Sequence, residues 1–100
     1  WIISSLNSPG IIYVDDGAAN ALSNGKSLLA AGVVKIKGNF DKGANVLVVD
    51  QNEVQLARGL SSFDSEEIEK IKGKQSREIE NILGYLSKSE IIHKDDMVKL

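Results

Sequence analysis

One hundred residues, 42% of them hydrophobic, suffice for one buried core but not for a nucleotide site plus a separate substrate domain. Fourteen acidic against twelve basic side chains leave a net charge of −2, which gives no overall attraction to a phosphate backbone or an anionic membrane, so a nucleic-acid role needs a local basic patch. There is no cysteine, which excludes disulfides, thiolate metal sites and a cysteine nucleophile.

The chain opens on Trp1 and its one methionine is Met97, the pattern expected of a piece of a longer protein. No signal peptide is visible. The longest apolar runs, such as Leu28 to Ala31 and Val46 to Val49, fall far short of the ~20 residues of a membrane span, so no membrane partner is expected. Pro9-Gly10 supplies a turn, and Ile11, Ile12, Tyr13 and Val14 are β-branched or aromatic, which predicts a buried strand from Gly10 to Val14. Asp15 or Asp16 caps a small helix, read as Asp15 to Asn24, that Asn24-Gly25 ends.

Val33 to Lys37 reads as a strand with one wet face, Val34 and Ile36 alternating against Lys35 and Lys37. The turn formers from Gly38 to Gly43 separate it from a strand at Val46 to Val49. Asp50-Gln51-Asn52 then turns the chain into a further strand, with Val54 and Leu56 predicted inward against Glu53, Gln55 and Ala57. Short strands joined by Gly, Asn and Asp turns mark a small barrel or sandwich.

Asp64 with Glu67 forms a capping-box pattern ahead of Ile68 and Ile71, and Gly73 stops that helix. A second helix is predicted over Gln75 to Leu83, with Ile79, Ile82 and Leu83 at helical spacing and Gly84 after them. In the tail, Ile91-Ile92-His93 reads as a closing strand, followed by Lys94-Asp95-Asp96 and the apolar Met97-Val98. The fold class is therefore mainly β with short α-helices. The predicted core comprises Ile11, Tyr13, Val34, Ile36, Val46, Val48, Leu56 and Leu60.

Segments in this order resemble the C-terminal PUA domain of bacterial glutamate 5-kinases over nearly the whole chain. They are Val14-Asp15-Asp16-Gly17-Ala18, Ser27-Leu28-Leu29 with Gly32, Gly38-Asn39-Phe40 with Gly43, and Ala57-Arg58-Gly59-Leu60. Ser65-Glu66-Glu67, Gly73, Ser76, Glu78-Ile79, Ile82-Leu83-Gly84-Tyr85 and His93-Lys94-Asp95-Asp96-Met97 follow. The first half is similar to PUA domains in general, including those of RNA-modifying enzymes, and the run from Ser76 to Tyr85 with the tail is similar to the kinase family in particular. Ala44 departs from the acidic residue that many PUA domains carry after the glycine.

The resemblance implies a PUA-like pseudo-barrel over residues 10–100, preceded at 1–9 by a linker from an upstream amino-acid kinase domain. It further implies a cytoplasmic, homo-oligomeric parent enzyme that uses ATP and Mg²⁺ to phosphorylate the side-chain carboxylate of L-glutamate at the start of proline synthesis, under feedback by proline. This stretch would be an accessory, regulatory module with no catalytic, cofactor-binding or metal-binding residue of its own. An RNA-binding module of an RNA-modifying protein is the alternative.

Several residues also carry chemistry of their own. His93 beside Asp95 and Asp96 has the side chains of a general base or a metal site but no second nitrogen or sulfur ligand, so it reads as a locally bonded strand end. Asp15-Asp16 suits Mg²⁺ by its oxygens and suits a helix N-terminus better. Gly25-Lys26-Ser27 matches the end of a Walker pattern whose first glycine is replaced by Asn20, so it reads as a helix stop. Lys26, Lys35 and Lys37 remain as candidate RNA contacts around the first helix and the following strand, although outward lysines on a strand also serve simply as a solvated face.

Overall fold

The computed structural model describes residues 10–84 and 90–100; the segment 1–9 assigned to a linker, and Tyr85 of the family pattern, lie outside them. Chain order runs β1 (Gly10–Val14), α1 (Asp16–Ser23), β2 (Leu28–Leu29), a 3₁₀ turn (Ala30–Gly32), β3 (Val33–Lys37), β4 (Asn45–Val49) and β5 (Gln55–Leu60). It continues through α2 (Ser65–Ile71), α3 (Ser76–Leu83), β6 (Glu90–Ile92), a second 3₁₀ turn (Lys94–Asp96) and β7 (Met97–Lys99). Five strands form one sheet in the order β3-β1-β4-β5-β7, and β2 pairs with β6 in a second small sheet. The β1–β4 pair is parallel and the other pairs are antiparallel.

Register separates the two faces of the large sheet. Ile36, Ile12, Val48 and Ala57 lie in line across four strands, and Gly10, Val46, Gly59 and Met97 form the next inward row. With Phe63, Ile68 and Ile71 near or on α2, Ile79 on α3, and Ile91 and Ile92 on β6, most of these side chains build the main core. On the opposite face Lys37, Ile11, Leu47, Arg58 and Val98 are in line, and Tyr13, Leu47 and Val49 form a smaller apolar cluster there with Ile11 at its edge.

Two bulges correct the predicted core. Tyr13 pairs with Lys35 but Val14 pairs with Val33, which leaves Val34 as the extra residue of β3. Val33 therefore turns inward and Val34 outward, 3% and 43% exposed, and only Ile36 keeps its predicted side, half-buried against the core. Likewise Val48 pairs with Ala57 and Val49 with Gln55, so Leu56 is the extra residue of β5. Ala57 is buried where it was expected outside, Leu56 is still half-buried against the main core as expected, and Val54 and Leu60 are exposed. An inserted residue reverses the alternation beyond it. Val46 and Val48 lie in the main core as expected, and Tyr13 is buried in the smaller cluster instead.

The helix ends follow local chemistry. Asp15 accepts a 2.8 Å hydrogen bond from the Ala18 N–H, and Gly25 just beyond α1 has φ +79°. Asp64 accepts from the Glu67 N–H at 2.8 Å, and Glu67 Oε1 accepts from the Asp64 N–H at 3.1 Å, completing the reciprocal capping box. Asp64→Ala should lower stability by about 0.5–2 kcal/mol, read as a lower urea midpoint at unchanged slope, whereas Asp64→Asn should retain most of it. On α3, Ile79 is buried but Ile82 is exposed, so its apolar stripe is narrower than its sequence suggests. The last strand was not anticipated: β7 adds to β5, and the Leu100 N–H donates to the Leu56 carbonyl at 3.0 Å.

Candidate functional site

A groove of about 550 Å³ that combines apolar and charged side chains lies beside α1. Its shape begins with a close approach. Gly32 sits so near α1 that a β-carbon there would lie 2.5 Å from the Ala18 Cβ, and the Asp15 N–H donates to the Gly32 carbonyl at 3.0 Å. Helix and 3₁₀ turn are thereby locked side by side. The Gly73 N–H, just past α2, donates to the Ala30 carbonyl at 2.7 Å and holds the turn from the other side.

The floor is apolar, from Ala18, Ala21 and Leu29, and the rim carries Lys26 and Lys94 with Asp15 and Glu90. The Lys26 N–H closes the end of α1 by donating to the Ala21 carbonyl at 3.0 Å. Lys94 arrives from the other end of the chain: its N–H donates to Ser27 Oγ at 2.8 Å, next to the β2–β6 pair. Among the described residues neither ammonium group has an ion-pair partner. Two free cations over an apolar floor suit a flat or apolar body that bears negative charge, and Asp15 and Glu90 restrict where that charge can lie.

The three lysines singled out by sequence occupy two places. Lys26 lines the groove, whereas Lys35 and Lys37 lie over the Tyr13 ring, 4.6 and 5.4 Å from its centre. The Tyr13 hydroxyl donates to Glu53 at 2.7 Å, and Lys37 stands 4.0 Å from that carboxylate. Hydrogen bonding with the Tyr13 hydroxyl, then the charges of Tyr13 and Glu53, raise the Lys37 pKa above the ordinary lysine value. Lys37 therefore remains a cation throughout the neutral range and gives up this cluster only as pH rises past its raised pKa. Glu53 itself has φ +65°, a left-handed conformation at the end of a turn whose Asp50 side chain accepts from the Asn52 and Val54 N–H groups. Glycine is the usual residue there.

Lys94 was missed by sequence reasoning. It sat in an Asp-rich turn, and nothing local marks a residue whose neighbour is Ser27. The neighbouring His93 accepts the Asp95 N–H on Nδ1 at 3.1 Å, a local cap as expected, with Glu90 and Asp95 carboxylates 3.9 and 3.5 Å from its ring nitrogens. No three His, Cys, Asp or Glu side chains converge among the described residues, and Asp15 Oδ1 already serves the helix. These donors do not fit an ATP–Mg²⁺ site, which needs carboxylates free for the metal and backbone amides around phosphates, so no step of phosphoryl transfer is assigned to them.

A mixed sheet closed by a second small sheet and short helices, with a groove at the first helix, defines a small β pseudo-barrel of the PUA class. The PUA domain family matches residues 10–83, and the chain belongs to that family. A PUA domain from Aeropyrum pernix K1, solved as a tartrate complex, superposes with TM-score 0.64 over 85% of this chain and 41% of its own, at 24% identity. Over the full hundred residues the chain is 61% identical to a protein named glutamate 5-kinase from Pelagibacter ubique, and over 98% of its length 51% identical to one of the same name from Bartonella henselae. It spans only 27% and 26% of those relatives.

Proposed function

We propose that this chain is the accessory, regulatory module of a cytoplasmic glutamate 5-kinase, in which a separate amino-acid kinase domain of the same polypeptide moves the γ-phosphoryl group of ATP to the side-chain carboxylate of L-glutamate. The observation that carries this reading is the 61% identity, without truncation, to a kinase about four times as long. Identity at that level over a whole small domain extends to surface residues, which packing alone does not constrain. A small barrel beside a catalytic domain shifts its conformational equilibrium when its contacts differ between states, and such couplings of about 1–3 kcal/mol change an effector constant roughly 5- to 150-fold.

The test uses the full-length protein and a version lacking residues 10–100. The intact protein should release ADP only when glutamate, ATP and Mg²⁺ are all present. The shortened one should keep turnover but shift its response to proline or Mg²⁺ by a factor in that range. Absence of glutamate-dependent ADP release would overturn the kinase reading, and superimposable proline and Mg²⁺ curves would overturn the regulatory one.

One observation favours a second reading as an RNA-binding module: among the described residues Lys26 and Lys94 have no ion-pair partner over the groove. Against it, Lys35 and Lys37 are engaged over Tyr13, Asp15 and Glu90 share the groove's rim, and the chain is net negative. Binding to structured RNA should therefore be weak and fall steeply with salt. Sub-micromolar affinity by fluorescence anisotropy at physiological salt, lost in Lys26→Glu, would establish the RNA role instead.

A further inference from the structure

Away from the groove at α1, the outer face of the large sheet ends in a second concavity of about 350 Å³, where β5 meets β7. Arg58, in register with Leu47 on one side and Val98 on the other, stands in it with Asn45, Leu60, Asp96 and Leu100. The Arg58 Nε and the Asn45 Oδ1 are cut off from solvent and have no hydrogen-bond partner among the described residues. No ion pair joins Arg58 to any carboxylate among the described residues, Asp96 included. Around them Leu60, Val98 and Leu100 are 46%, 68% and 61% exposed. Beyond them β7 is the last strand of its sheet among the described residues, paired there on one side only.

Each of these features is unfavourable in an isolated domain. An arginine Nε cut off from solvent wants an acceptor, a buried amide oxygen wants a donor, and aliphatic side chains at an open sheet edge want cover. We propose that this face, centred on Arg58, is where the rest of the same polypeptide docks, through an aspartate or glutamate set among aliphatic side chains. The carboxylate would take the Arg58 fork, and a backbone N–H beside it would donate to Asn45 Oδ1. The proposal rests on the reading above that the chain is one module of a protein about four times as long.

Two other occupants fit less well. A second copy meeting this face across a two-fold axis would set two copies of this same small patch against each other. Three exposed aliphatic side chains also fall short of the ~800 Å² per partner of a stable free interface, whereas a tethered neighbour, held at high effective concentration, needs less. RNA has no use for the aliphatic rim and is repelled by Asp96.

A photo-cross-linking amino acid at position 98, the most exposed of these side chains, placed in the full-length protein at high dilution, tests the assignment. Mass spectrometry should find position 98 joined to an acidic-residue-bearing peptide outside these hundred residues and in the same molecule. Arg58→Glu should cut that yield about tenfold, and Arg58→Lys less. Should Arg58→Glu lower the unfolding midpoint of the module, Asn45→Asp, which sets a carboxylate against the incoming one, is read in its place and should give a similar loss. Cross-links between isotopically mixed copies, cross-links to co-purified RNA, or yields indifferent to these charges would overturn the proposal. Glutamate-dependent ADP release from the same preparation reports separately on the kinase reading, so either can fail without the other.

Discussion

Replacing Phe63 by alanine should destabilise the module by about 3–5 kcal/mol, a large share of the roughly 5–15 kcal/mol that holds a domain of this size together. Phe63 is the largest of the completely buried side chains among the described residues, and it belongs to the core that joins the sheet to α2, α3 and β6. Its backbone is poorly placed to collapse into the space left behind. Ser61 Oγ donates to the Phe63 carbonyl at 2.6 Å, the Ser62 N–H donates to the Ile91 carbonyl at 2.8 Å, and the Ser65 N–H donates to the Phe40 carbonyl at 3.0 Å. The cavity should persist, and the cost of a cavity grows with the volume that cannot relax. Urea unfolding followed by circular dichroism should show a much lower midpoint, with Phe63→Leu between the two. A loss under 1 kcal/mol for the alanine variant would mean that the segment from Ser61 to Ser65 is not held as described.

Gly59→Ala should cost about 1–3 kcal/mol, because the added methyl meets backbone it cannot displace cheaply. A β-carbon at Gly59 would lie 2.7 Å from the Asp96 carbonyl oxygen, 2.8 Å from Ile92 Cγ2 and 3.2 Å from Met97 Cα. Two of the three are backbone atoms, and Met97 is the residue paired with Gly59 across the β5–β7 ladder. The clash can be relieved only by pushing β7 away. The damage should therefore concentrate there: amide hydrogen exchange at residues 97–99 should accelerate more than at β4, on the other side of β5. Gly73→Ala is the control, because Gly73 has φ +74° with open space around it. That variant should lose about 1–2 kcal/mol to backbone strain alone and leave exchange in β7 unchanged. Equal exchange profiles for the two variants would show that β7 is not packed against Gly59.

What could be read from the sequence was what closes within a few residues. Asp15 and Asp64 as caps, Glu67 as the reciprocal acid, the glycines just past α1 and α3, and the turn at Asp50 depend on bonds spanning about one helical turn or one hairpin loop, so composition and spacing carry them. The ordered set of short motifs carried the family resemblance for the same reason.

The tertiary structure decided what depends on a partner strand. Period-two alternation placed Val34 inward and Ala57 outward, but bulges opposite β1 and β4 turned Val34 out and Ala57 in, while Leu56 stays packed against the core; a bulge is a property of two strands together. Met97 and Val98 showed no strand pattern of their own, yet β5 offered an edge for β7 to complete. Lys94 entered the groove only because β6 pairs with β2, which puts residues 67 apart in sequence within one hydrogen bond. Lys35 and Lys37 looked like free surface cations until the sheet set Tyr13 and Glu53 beside them, and Arg58 entered only as one residue of the Ala57 to Leu60 segment. Whether a charge is free or engaged is determined by neighbours distant in sequence, because electrostatic interactions act through space and do not depend on how many residues separate the partners along the chain.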